Sequence, residues 1–239
     1  MSSLGDLKIY TTHPHSCSYL VDKQATTLFI DPQTSVDKKL YSSLSLLGFR
    51  RSGSYLYRPH CVSCQACTPT RIPVSTFKPS RSQRRCWAHN QDLQITQVEN
   101  IDTDEHYSLY ERYIELRHSD GDMYPAEREQ FRSFLSSQWG TTRYLEFRLE
   151  GKLLSVAVSD ELEDGLSAIY TYFESDTASR SLGTYAVLQQ IERAKLADLP
   201  YLYLGYWIKD CQKMSYKTQF RPFQLLQNNR WADAGLSLP

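Results

Sequence analysis

Apolar positions fall in short blocks over the first ninety residues and in longer periodic stretches afterwards. Val36, Leu40, Leu44 and Leu47 recur at helical spacing, which predicts a helix over 36–47 that Gly48 stops. Residues 17–21, 28–30, 55–57 and 71–74 read as short strands. Ser80 is placed to cap a short helix whose Arg81, Arg84 and Arg85 share a face, and 93–98 alternates as a half-buried strand does. Beyond residue 100 the pattern predicts helices over 103–117 and 125–137, the second with Pro125 in its first turn. Three strands follow at 143–149, 153–161 and 166–173, joined by the tight turns Glu150-Gly151-Lys152 and Glu163-Asp164-Gly165. A helix over 181–197, a strand at 201–205 and another at 221–226 complete the chain. The expected fold class is α+β. A meander, a helix and a further strand form the layout of a GNAT-like acyltransferase domain, here 93–239. A smaller N-terminal α+β domain, 1–92, carries a cysteine cluster.

Composition adds little, because 41% hydrophobic and 23% charged residues are ordinary for a soluble domain. The longest apolar runs are too short to span a membrane and the N-terminus lacks a signal-peptide core, so a cytoplasmic protein with no membrane partner is expected. Charge distribution changes the picture. Net charge is zero, yet no Asp or Glu occurs from Lys38 to Gln91, against ten Lys and Arg, while 92–129 carries eleven acids and three arginines. Either the basic face meets its acidic neighbour or it meets a polyanion such as RNA.

Three constellations hold candidate chemistry. Cys61, Cys64 and Cys67 are spaced for a zinc ion or iron–sulfur cluster, with Cys17, His13, His15 or Cys86 as a fourth ligand; the alternative is three reduced cysteines in a tight turn. Arg180 and Gly183 match part of the pyrophosphate-binding turn of acetyl-CoA enzymes. Tyr185 occupies the place where that pattern needs a small residue, so the donor is not expected to be CoA. Residues 206–222 alternate aromatic and cationic side chains after a strand end, an arrangement suited to stacking on a base or gripping a carboxylate.

At residues 17–20 (CSYL), 24–32 (QATTLFIDP), 57–67 (YRPHCVSCQAC), 77–85 (FKPSRSQRR), 165–170 (GLSAIY), 181–185 (SLGTY), 205–217 (GYWIKDCQKMSYK) and 220–222 (FRP), the chain resembles the arginyl-tRNA–protein transferase family, most closely its bacterial aspartate/glutamate leucyltransferase branch. The resemblance implies transfer of leucine from leucyl-tRNA to proteins with N-terminal Asp or Glu, feeding N-degron degradation machinery. It also implies a tRNA-associated N-terminal domain in which Arg81, Gln83, Arg84 and Arg85 bind tRNA. Cys17, Cys61, Cys64 and Cys67 would be the family's metal or cluster ligands, although no cofactor is required for the chemistry.

That chemistry is aminolysis of an ester. The acceptor's α-amino group has an ordinary pKa of about 8, so alignment can replace a strong base. Glu174 is expected to orient the amine or relay its proton beside Tyr170, with Lys213, Tyr216, Lys217 and Arg221 meeting the acceptor's carboxylate. Two other readings stay open. One is arginyl transfer or an acyl-CoA-dependent N-acyltransferase, and the other a non-catalytic RNA-binding module formed by residues 1–90.

Overall fold

A computed structural model describes Gly5, residues 7–121 and residues 123–235. The chain begins with β1 (Ile9–Thr11), β2 (His15–Ser16), β3 (Gln24–Ala25), β4 (Thr27–Ile30) and α1 (Lys38–Leu46), then β5 (Arg50–Ser52), β6 (Tyr55–Pro59), β7 (Thr68–Pro73) and α2 (Arg81–His89). It continues with β8 (Gln94–Val98), α3 (Asp104–Arg117), α4 (Arg128–Leu135), β9 (Thr142–Leu149), β10 (Lys152–Glu161) and β11 (Gly165–Phe173). A 3-10 segment Ser175–Arg180, α5 (Leu182–Leu196), β12 (Tyr201–Trp207), a second 3-10 segment Gln212–Gln219, β13 (Gln224–Gln227) and β14 (Arg230–Asp233) finish it.

Local chemistry explains most boundaries. Asp37 caps α1 by accepting from the Leu40 N–H, Thr103 caps α3 through the His106 N–H, and Ser80 and Gln83 form a reciprocal capping box on α2. Residues 17–21, expected as a strand, instead form the loop between the two-residue strands β2 and β3; Asp22 there has φ 59°, which no strand tolerates. Helix α4 starts three residues later than expected, because Glu127 is still extended.

The result is a mixed α+β structure built on one large sheet of order β14-β13-β7-β12-β11-β10-β9-β8, with a four-stranded sheet β1-β4-β6-β5 beside it. The large sheet borrows β7 from the first ninety residues, paired with both β12 and β13. Its two faces are covered differently. On one face α5 packs Val187, Leu188 and Ile191 against Ile72, Leu202 and Leu204, and Leu182, Tyr185 and Ala186 against Phe147 and Ala157. The other face has two covers. Leu109, Tyr110 and Ile114 of α3 and Phe131 of α4 lie on Val156, Val158 and Tyr172, whereas Leu40, Tyr41 and Leu44 of α1 lie with Tyr203. Burying each such side chain contributes roughly 1.5–3 kcal/mol. Among the described residues no helix is long and apolar enough to cross a membrane.

Candidate active site

Where the second face changes cover, the sheet itself opens. Strands β11 and β12 run parallel but pair only at Gly165–Ser167 against Tyr201–Tyr203; beyond that β12 keeps only β7 as a partner and β11 only β10. Two glycines make this possible. A Cβ at Gly165 would come within 2.4 Å of the Tyr201 carbonyl oxygen, so only glycine lets the strands meet so closely. Gly205 has φ 80°, the left-handed conformation that shifts the β12 register against β7.

Into the gap reaches Arg50 of β5, 8% exposed, donating from one guanidinium nitrogen to Ser167 Oγ at 2.8 Å and from the other to the Ala168 carbonyl at 2.5 Å. Tyr206 of β12 anchors the turn before β5 by donating its hydroxyl to the Gly48 carbonyl at 2.8 Å. Lys217, 7% exposed, donates to the backbone carbonyl of Tyr206. Burial, and then the like charge of Arg50, push the Lys217 amine down to about 7. The Tyr216 ring lies 5.8 Å from Lys217 Nζ and is 43% exposed.

Tyr170 and Glu174 lie on and just beyond the far part of β11. The Tyr170 hydroxyl is buried without a hydrogen-bond partner amid Tyr110, Tyr113 and Phe134, and burial raises its phenol well above the usual range. Glu174 is buried and held by Arg112, at 2.5 Å and 3.4 Å to its two oxygens. Of the four residues expected to meet a carboxylate, Tyr216 and Lys217 stand at the gap. Lys213 is exposed and bound to Asp120 at 2.9 Å, and Arg221 is exposed, donating to the Thr218 carbonyl. Arg50 is a gap residue that the sequence pattern does not flag; the only local signal is a pair of arginines where a strand begins.

On α2, Arg81, Arg84 and Arg85 are exposed and have no carboxylate partner among the described residues. Gln83 is buried, its Oε1 accepting from the Ser80 N–H and its Nε2 donating to the Gln219 carbonyl. Charge segregation survives folding. Asp92, Asp102, Asp104, Glu105 and Asp120 pair with Arg180, Arg128, Arg132, Arg148 and Lys213, all outside the basic segment; Asp122 lies outside the described residues. The basic segment's ion pairs, Lys38–Glu161 and Arg51–Asp160, go to the end of β10 instead. Arg180, expected near a pyrophosphate, is clamped by Asp92 at 2.8 and 2.9 Å, and Tyr185 is buried.

Cys17, Cys61, Cys64 and Cys67 are free, half-buried, and line a cavity of about 720 Å³ together with His15, His60, Tyr57 and Tyr206. Burial, and the neighbouring Cys61, Cys17 and Cys64, push the Cys67 thiol up to about 12. The expected zinc or iron–sulfur ligand set does not fit this geometry. Ligands must close to about 2.3 Å from one metal, and among the described residues no three His, Cys, Asp or Glu side chains gather that way. The four thiols share one cavity, Cys17 coming from the loop between β2 and β3.

Comparison with known proteins shows the family. Family models described as arginine-tRNA-protein transferase, N terminus and C terminus, match residues 15–85 and 105–227. An aspartate/glutamate leucyltransferase of Saccharophagus degradans is 60% identical over 97% of this chain and 98% of its own length. One from Teredinibacter turnerae is 56% identical over 99% and 98%. Among solved structures, L-PGS from Bacillus licheniformis superposes with a TM-score of 0.48 at 10% identity, covering 71% of this chain and 59% of that one, a likeness on which no argument rests.

Proposed function

The chain belongs to the arginine-tRNA-protein transferase family, and from that premise we propose that it transfers leucine from leucyl-tRNA to the N-terminus of proteins beginning with Asp or Glu. The observation carrying this reading is near-full-length identity above one half to aspartate/glutamate leucyltransferases. Such transfer marks the acceptor for degradation by the N-degron route, and the place of work is the cytoplasm.

In this reading residues 93–239 form a GNAT-like transferase part, and the gap between β11 and β12 receives the reacting groups. Residues 1–92 are the tRNA-associated part, with Arg81, Arg84 and Arg85 on phosphates. The acceptor's neutral α-amino nitrogen attacks the leucyl ester carbonyl. A C–N bond forms, the C–O bond to the ribose breaks, and the amine's proton leaves to the ribose oxygen. Holding amine and ester together supplies much of the acceleration, up to about 7–11 kcal/mol for ideal alignment. Glu174, fixed by Arg112, accepts a hydrogen bond from the amine, and the unpartnered Tyr170 hydroxyl bonds a polar substrate atom. The aromatic and cationic 3-10 segment Gln212–Gln219 faces the acceptor's side chain. Asp92 on Arg180 and the buried Tyr185 leave the pyrophosphate turn occupied, which disfavours acyl-CoA as donor.

Incubation with labelled leucyl-tRNA, arginyl-tRNA or acetyl-CoA and a peptide starting with Asp tests the reading. Label is expected in the peptide from leucyl-tRNA; label from acetyl-CoA alone, or from none, overturns it.

A further inference from the structure

Four Lys and Arg side chains are buried among the described residues: Arg50, Arg51, Arg71 and Lys217. Arg51 has its carboxylate, Asp160, at 2.6 Å. Arg71 lies 3.5 Å from the Tyr201 ring centroid and 4.4 Å from that of Trp231, and reaches Asp164 through the Tyr203 hydroxyl. Arg50 and Lys217 have neither remedy. Their hydrogen bonds go to neutral acceptors, Ser167 Oγ and the Ala168 carbonyl for one and the Tyr206 carbonyl for the other. Tyr216 stands at the outer limit of cation–π reach from Lys217. The ionisable groups bearing on Lys217 are Arg50, Cys211 and Cys67, with no carboxylate among them. Burying two like charges together without a counter-ion is costly, and a fold gains nothing by it unless an anion comes from outside.

The place narrows the choice of anion. The pair lies where β11 and β12 part, in the gap assigned to the reacting groups. Arg50 comes from the N-terminal part and Lys217 from the C-terminal part, so the pair exists only in the assembled fold. Lys217 is 7% exposed, and the Tyr216 ring beside it is 43% exposed.

We propose that Arg50 and Lys217 together bind the side-chain carboxylate of the acceptor's N-terminal Asp or Glu and thereby restrict transfer to acidic N-termini. The proposal rests on the leucyl-transfer reading and adds to it the identity of the residues that read the acceptor. An Asp side chain supplies one negative charge between the two groups and accepts from both. The isosteric Asn brings no charge and leaves two buried cations uncompensated, which is why a matched acceptor is expected to win by at least about 10²-fold in kcat/KM.

The test compares peptides that differ only in beginning with Asp or Asn, using the full chain and leucyl-tRNA. The ratio of their kcat/KM values does not depend on how much of a variant is folded. Lys217→Gln and Arg50→Gln are each expected to lower that ratio at least tenfold, and Lys217→Arg to keep most of it. If Arg50→Gln is too unstable to assay, Lys217→Gln decides, since it lies in a surface segment outside the sheets. A wild-type ratio in Lys217→Gln overturns the proposal while leaving leucyl transfer standing. Wild-type protein that moves leucine to neither peptide overturns the function itself, and the proposal with it.

Discussion

Arg50 and Arg51 are neighbours on a three-residue strand, and their side chains leave it on opposite sides. Both are buried, yet their surroundings differ completely. Arg51 is saturated: Asp160 accepts from it at 2.6 and 3.2 Å, and the carbonyls of Gly53 and Ser136 accept at 3.2 and 2.9 Å. Asp160 in turn is completed by the Tyr41 and Thr142 hydroxyls, both at 2.8 Å. That network ties β5, α1 and the segment after α4 to the end of β10. Arg50 faces a second cation and no acid. Burial of a charge therefore does not distinguish a structural residue from a binding one; satisfaction does.

Breaking the saturated side should have the largest effect. Arg51→Met leaves Asp160 buried without its counter-ion, and urea denaturation should show a loss of about 3–5 kcal/mol. Replacing both partners, Arg51→Met with Asp160→Leu, should recover most of that, because no charge is then stranded. If Arg51→Met cost no more than Arg50→Met, the contrast between the two arginines would collapse.

Transfer chemistry should respond next. Glu174→Gln should lower kcat by roughly 10²-fold with stability nearly unchanged, if its carboxylate acts on the amine as proposed. Wild-type kcat in that variant removes the role and leaves Glu174 as a partner for Arg112.

A third class of cation sharpens the comparison. Arg84 is exposed, donating at 2.7 Å to the Pro79 carbonyl, so its field is screened by salt. Arg84→Glu should weaken tRNA binding about tenfold and lower the salt slope by roughly one to two. The Asp-to-Asn preference should hardly change with salt, because the pair behind it is buried; equal salt sensitivity of both quantities would show that the two cation sets act alike.

The smallest effect is on pH-dependent stability. Lys217 binds its proton more weakly in the fold, at about 7, than its ordinary value of 10.5. Its charged form therefore costs stability in full below pH 7, and the cost fades as pH rises toward 10.5. Lys217→Met should raise Tm by several degrees at pH 6 and by little at pH 10; a gain independent of pH would point to packing instead of charge.

Much of the fold was legible because its signals are local. Ser80 and Thr103 announce helix starts by offering oxygens to free N–H groups, and Glu150-Gly151 and Asp164-Gly165 close hairpins where positive φ or close approach demands it. The motif at 205–217 includes Tyr216 and Lys217, which the fold sets beside the gap. The failures are non-local. The cysteine spacing pointed to a ligand cage, but ligation requires convergence in space, and among the described residues no three ligands converge. Strand β5 was invisible because two arginines do not read as buried positions, and β7 gave no hint that it would join the larger sheet.

By itself the sequence determined most helices and the central strands, the family and the segregation of basic from acidic residues, since each depends on neighbours in the chain or on matched motifs. Tertiary structure alone decided which cations are neutralised. Asp160 lies 109 residues from Arg51, and Ser167 lies 117 from Arg50. The energy of a buried charge is set by what surrounds it in space, so two adjacent arginines that look alike in the sequence have separate roles in the fold.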